Sequence, residues 1–348
     1  VLRGRKQHLQ WKEELQEKQW LGSNLVVSTP VFDQKDTHLL NMAIKSPEHA
    51  EEMVSALKTE GYDLIKVYGS LPNAEYTKLY NIANKLNFPI AKHAPHPPEG
   101  GDWRSLKGLQ SLEHAEDIFQ GPLNYQFNYK KLPTVVAKIK SLDVAVTPTL
   151  AVFSHLAQLS EQKDEFINTI DLAFINPFQK DIATKYPVAR WLADSSEQST
   201  YHYKKFSFLK EIVTELHRQK VALLVGSDAG VMYTLQGEST HLEMALLHDS
   251  GLSKYQTILA ATVNPAKALK RFENYGSIEV GKVADLLMSE QNPLDDLATL
   301  KDPVAVIKSG QYLSNEKLSL LKNDAKAHPN YWFTLLTLLN DKISEMLL

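Results

Sequence analysis

Apolar and polar positions alternate in two textures along the chain. Short runs rich in Val, Ile, Leu and aromatic residues read as β-strands: NLVVST (24–29), DLIKVYG (63–69), FPIAKH (88–93), LQSLEH (109–114), DVAVTPTL (143–150) and VALLVGSDAG (221–230). Between most of them lie longer stretches with helical spacing. SPEHAEEMVSALKTEG (46–61) is one, opened by Ser46 as an N-cap and closed by Gly61. Strand alternating with helix predicts a parallel sheet, and the spacing fits a (β/α)8 TIM barrel. A doubly wound sheet shares the alternation, but no glycine-rich phosphate loop follows the first run and polar residues close several different strands. The stretch 150–199 breaks the rhythm. It is long, helical in patches and dotted with aromatics, as expected of an insert that forms a lid or substrate wall after a barrel strand.

One position resists the pattern. Lys66 sits at the centre of DLIKVYG, and a parallel strand covered on both faces has few places for an ammonium. Desolvation lowers a lysine's pKa and exposes a neutral amine, which can add carbon dioxide to give an anionic carbamate. His93, His114 and Asp228 each stand at or near the end of another predicted strand, the face where barrel enzymes keep their chemistry. Imidazoles and a carboxylate suit zinc or a similar divalent ion. Taken singly, each residue has a plain structural reading: Lys66 as a snorkelling lysine, His114 as half of a common dipeptide, Asp228 as a turn or cap residue in GSDAG. As a spaced set they point to a metal site. Tyr68 shares the face of Lys66, and with His96 and Tyr233 it is a candidate for contact with substrate.

Composition narrows the classes. There is no cysteine, which removes disulfides, thiolate catalysis and cysteine-ligated metals together. The net charge of −3 comes from interspersed acids and bases, so no basic stripe points to nucleic acid. No 18-residue apolar span occurs, and no membrane span is expected. The N-terminus VLRGRKQHLQWKEELQEKQWLG (1–22) reads as a polar amphipathic helix rather than a signal peptide, leaving the compartment open between cytoplasm and export. A small-molecule substrate is the expected partner, and a homo-oligomer is compatible with the sequence.

These residues, in this order, resemble the amidohydrolase superfamily, in its imidazolonepropionase-like and prolidase-like branch. DLIKVYG resembles the strand with the carboxylated lysine, AKHAPH the next ligand strand, SLEHAED the strand after it, and LLVGSDAG the last. Downstream, STHLEMALLHDSGLSKYQTILAATVNPAKAL and GSIEVGKVADLLMSEQNPLDDL carry the most specific likeness. The resemblance implies a metal-dependent hydrolase of amide, cyclic amide or Xaa-dipeptide bonds, with one or two divalent ions, zinc foremost. Lys66 would be the bridging carbamate ligand, His93 and His114 would bind one metal, and Asp228 would bind the other and shuttle protons to and from an activated water. The THLE segment (240–243) resembles a family signature in which His241 is a supporting residue.

The chain departs from that pattern at one point. The family's first strand ends in a His-x-His pair, and His8, His38 and His49 are isolated here. The first matching segment corresponds to the third barrel strand, so the first barrel strands and part of the small β-sandwich are expected to be missing from this chain. The expected organisation is a catalytic barrel over 1–270, the remainder of a β-sandwich over 271–315 and a helical tail over 316–348. A catalytically silent binding or scaffold protein on the same barrel is the alternative.

Overall fold

The computed structural model describes residues 1–34, 41–327, 331, 332, 334–336 and 339. His38, His328 and most of the end of the expected helical tail lie outside the described residues. The chain divides into two compact units.

The first unit comprises Val1–Pro148, Ile212–Leu224 and Asn264–Arg271. Its six strands are β1 (Ser28–Asp33), β2 (Asn41–Ala43), β3 (Leu64–Val67), β4 (Ile90–His93), β5 (Ser111–Glu113) and β6 (Ala145–Thr147). They form one sheet in the order β2-β1-β3-β4-β5-β6, parallel throughout. Helices α1 (Lys6–Gln16), α2 (Pro47–Thr59), α3 (Asn73–Lys85), α4 (Ala115–Gln120) and α5 (Leu132–Ser141) alternate with or precede these strands. Helix α2 shows how the sequence encodes them: the Ser46 side chain accepts from His49 N at 3.2 Å, Pro47 opens the first turn, and Ala50, Val54 and Leu57 form its buried face. Gly61 stops it with φ +99°, a backbone state open to glycine without a side-chain clash.

Two strand expectations need correction. The run 221–230 was expected as a strand, but it joins the sheet only through a bridge between Val146 and Leu223. The bonds are Val146 N to Ala222 O at 2.8 Å and Leu224 N to Val146 O at 2.9 Å. Apolar composition marks burial and does not specify a partner along its whole length. The first strand begins at Ser28 rather than at Asn24, because Val1 O accepts from Ser28 N at 2.9 Å while Val1 N donates to Val26 O at 2.7 Å. Its pairing with β3 shifts register between Ser28 and Val31, around Pro30, which has no N–H to give the ladder. The three-residue β2 is shorter than the window in which alternation can be read from sequence.

The second unit comprises Thr149–Glu211, Val225–Val263 and Phe272–Leu348. The expected insert is largely helical: α6 (Leu150–Gln162), α7 (Asp164–Ile167), α8 (Pro177–Ala183), a π-turn over Thr184–Val188 around Pro187, α9 (Ala189–Leu192) and the start of α10 (Ser196–Arg218). Leu159, Phe166, Val188 and Tyr233 form its apolar cluster. Helices α11 (Glu238–Asp249), α12 (Lys254–Ala261) and α13 (Val263–Ala268) follow, the last running into the first unit's segment. Then come β7 (Leu286–Met288), β8 (Ala305–Lys308) and β9 (Gln311–Ser314), an antiparallel sheet, and α14 (Asn315–Asp324). Among the described residues no helix is long and apolar enough to cross a membrane.

Candidate active site

The parallel register sorts the first unit's side chains by face. Lys66 pairs with Ala91, which pairs with Ser111, which pairs with Ala145; two residues on, His93, Glu113 and Thr147 are in register. Because side chains alternate along a strand, Lys66, His93, Ser111 and Glu113 share one face of the sheet. Lys66 is 3% exposed, so the sequence anomaly is a buried lysine rather than a snorkelling one. Ser111 and Glu113 are also buried there, joined by a hydrogen bond.

His93 and His114 meet at the C-terminal ends of β4 and β5. Their ring centroids are 4.3 Å apart, and Tyr68 also packs on His93, at 4.2 Å. His114 reaches this position with φ +63°, a left-handed backbone uncommon outside glycine, fixed by His114 N to Thr147 O at 2.8 Å and Ala115 N to Pro148 O at 3.0 Å. Burial pushes the pKa of both imidazoles down, His114's well below the usual histidine range. The positive charge of Lys66 works the same way on both and that of His93 adds to it on His114, while Asp117 pulls both the other way. Two neutral imidazoles result, the form that ligates metals.

Asp117 on α4 braces this pair. Its Oδ2 lies 3.1 Å from His93 Nδ1 and accepts from Ala94 N at 2.8 Å. Burial would raise the Asp117 pKa, but its close approach to His93 Nδ1 and its bond from the Ala94 N–H bring it down to about 2.

Three residues of this region escaped the sequence reading. Lys92, 1% exposed, points to the opposite face from Lys66, and its ammonium donates to the carbonyls of His93 at 2.8 Å, Ala94 at 2.9 Å and His96 at 3.1 Å. A lysine beside a strand-ending histidine reads as solvent-facing, so only the alternation of faces could have flagged it. Arg3 donates to the Tyr68 hydroxyl and lies over its ring at 5.4 Å. Nothing local in the N-terminal segment announces that. Asp117 had a signal in its place three residues after His114, in the first turn of a helix.

The His96 ring lies against Gly121, where an added Cβ would come within 2.4 Å of it, and His96 Nδ1 is 2.9 Å from Pro97 O. Asp228 belongs to the second unit, exposed, with φ +51°. Tyr233, also in the second unit, is 5% exposed in the apolar cluster, its hydroxyl bonded to Thr184 Oγ1. From the THLE segment the fully buried residue is Glu243, whose Oε2 accepts from Ala151 N at 2.7 Å and so caps α6, a helix whose own N-cap side chain makes no cap bond.

Among the described residues no group of three or more His, Cys, Asp and Glu could hold a metal ion. The donor chemistry nonetheless fits one divalent ion if Lys66 supplies the third ligand as a carbamate, since two neutral imidazoles meet at the ends of β4 and β5 and a buried amine shares the face of His93. The Amidohydrolase family model matches residues 6–313, and the chain belongs to that family. No curated protein matches it in sequence. Among solved structures, bottromycin amidohydrolase superposes with a TM-score of 0.74 at 20% identity, over 92% of this chain and 72% of that one. A protein from Bifidobacterium longum described as a prolidase gives 0.62 at 22% identity, over 92% and 74%. A Xaa-Pro dipeptidase with methionine bound in its active site gives 0.61 at 17%, over 88% and 72%. At these identities the likeness is one of fold.

Proposed function

We propose that this protein is a metal-dependent amidohydrolase acting on amide, cyclic amide or Xaa-dipeptide bonds, and that its six parallel strands are staves of a (β/α)8 barrel. The observation that carries the reading is the grouping of Lys66, His93 and His114 at the strand ends, with both imidazoles held neutral by burial. Family membership supports hydrolysis of C–N bonds. The prolidase-like and dipeptidase-like neighbours support a small amide substrate. Lys66 as its carbamate, His93 and His114 would hold a divalent ion; zinc is the first choice for imidazole and oxygen donors. When bound, such an ion would polarise the scissile carbonyl and lower the pKa of a bound water towards neutrality.

The chain's own residues supply orientation and proton transfer. Asp117 at His93 Nδ1 holds the ring so that Nε2 keeps its lone pair for a ligand. Lys92, by gathering the carbonyls after β4, fixes the direction in which His93 leaves the strand. Asp228, in the GSDAG segment, is assigned the proton transfer from attacking water to leaving nitrogen. Tyr68, which Arg3 steadies and which packs on His93, is assigned contact with the substrate.

A second reading is a binding or scaffold protein without turnover, favoured by the absence of a three-residue His, Asp and Glu group among the described residues. One experiment separates the two. Xaa-Pro dipeptides, N-acyl amino acids and cyclic amides are assayed before and after chelation and after added zinc, with 13C NMR of the chain in 13C-bicarbonate. Hydrolysis that is lost on chelation and restored by zinc, with a carbamate signal absent from Lys66→Ala, supports the enzyme. No hydrolysis of any substrate with zinc and bicarbonate present favours the binding protein.

A further inference from the structure

At the opposite ends of the same strands lies a cavity of about 580 Å3 within the first unit. Residues at the starts of β4, β5 and β6 line it, so it sits a strand's length from the candidate active site. Its charged lining residues are Lys140, Lys220, Lys267, Lys270 and Asp143, four cations against one anion, for a net +3 in a chain of net −3. We infer that this cavity binds a small multivalent anion.

Helix ends alone would place some of these lysines. Lys140 and Lys267 stand in the last turns of α5 and α13, where a cation interacts favourably with the helix dipole. That accounts for each position singly, not for four lysines from three segments around one cavity. Lys220 and Lys270 follow helices in left-handed turns, with φ +59° and +55°. Lys140, Lys220 and Lys270 make no ion pair with any described residue, and Lys140 Nζ donates to Lys220 O at 2.5 Å, tying two of the segments together. Within the cavity the Gln110 Oε1 is buried and has no hydrogen-bond partner. A carboxamide in that state can turn its NH2 towards an anion and complete a donor set of ammonium and amide N–H groups.

The lining also says what the ligand is not. Phe88 is the aromatic residue of the cavity; it is 2% exposed, and Lys58 Nζ already lies 4.8 Å from its ring centre. No ring face is offered for a base to stack on, so charge selects the ligand. The volume lies within the range of small-molecule sites, roughly 300–1,000 Å3.

The test is calorimetric titration of the full chain with inorganic pyrophosphate, citrate and ADP at constant ionic strength, with NaCl as the control. Saturable binding of pyrophosphate or citrate at one per chain is expected, the pair distinguishing a phosphoryl from a carboxylate ligand, with ADP no tighter than pyrophosphate. The exposed pair Lys220→Glu and Lys270→Glu should weaken it at least tenfold. Lysine acetylation of the unaltered chain, read by mass spectrometry, should show Lys140, Lys220, Lys267 and Lys270 protected by pyrophosphate relative to Lys130. No binding above the NaCl control, unchanged affinity in the double variant, or protection no greater than at Lys130 would each overturn the site. ADP binding tenfold tighter than pyrophosphate would overturn the claim that charge alone selects.

Discussion

Lys66 and Lys92 come from neighbouring strands, one register step apart, and the pleat sends them to opposite faces. Lys66 was legible because a charge in an apolar run is conspicuous. Lys92 was not, because a polar residue at a strand end is normally solvated. Its ammonium satisfies three carbonyls, so Lys92→Met should strand buried acceptors and cost about 3 kcal/mol in urea unfolding. A loss under 1 kcal/mol would mean that water replaces the ammonium. Glu243 was equally hidden, an acid on a helix with no outward sign of burial. Burial raises its pKa from 4.5 to about 8, against the pull of the Ala151, Leu150 and Thr149 N–H groups. The folded state therefore holds a proton that the unfolded state has released between those two pH values. Stability from Glu243 is complete below pH 4.5 and is lost as pH rises towards 8. The difference should reach the order of 4 kcal/mol. Melting curves of the unaltered chain and of Glu243→Gln across this range should converge or cross as pH rises; parallel curves would contradict it.

At the scale of elements, β3 to β6 and the helix α2 before them were legible in the sequence, since apolar runs and caps are local signals. The ends of the sheet were less legible. β2 is too brief, and the strand expected at 221–230 depends on a partner that supplies one bridge. The N-terminal segment is anchored by a contact that no local pattern encodes: a Cβ on Gly4 would lie 1.6 Å from Ser28 O, which is backbone and cannot step aside. Gly4→Ala should therefore destabilise the chain by about 2 kcal/mol or more and loosen the segment that carries Arg3 to Tyr68. Limited proteolysis should find faster cleavage near residues 1–28 in the variant. An unchanged cleavage rate and melting temperature would show that the segment has another seat.

At the scale of the whole molecule, we propose that Lys66, His93 and His114 form one metal-binding unit in this member of the amidohydrolase family. His93 and His114 were legible as strand-end histidines. The bracing by Asp117, Lys92 and Arg3 was not, since it depends on which helix and which loop pack there. Elemental analysis of the chain after zinc loading in bicarbonate and exhaustive dialysis tests the claim most directly. The unaltered chain should retain about one zinc per chain, and His93→Ala, His114→Ala and Lys66→Ala should each retain less than a tenth of it while remaining folded by circular dichroism. Retention of full zinc content in any two of these variants would contradict it.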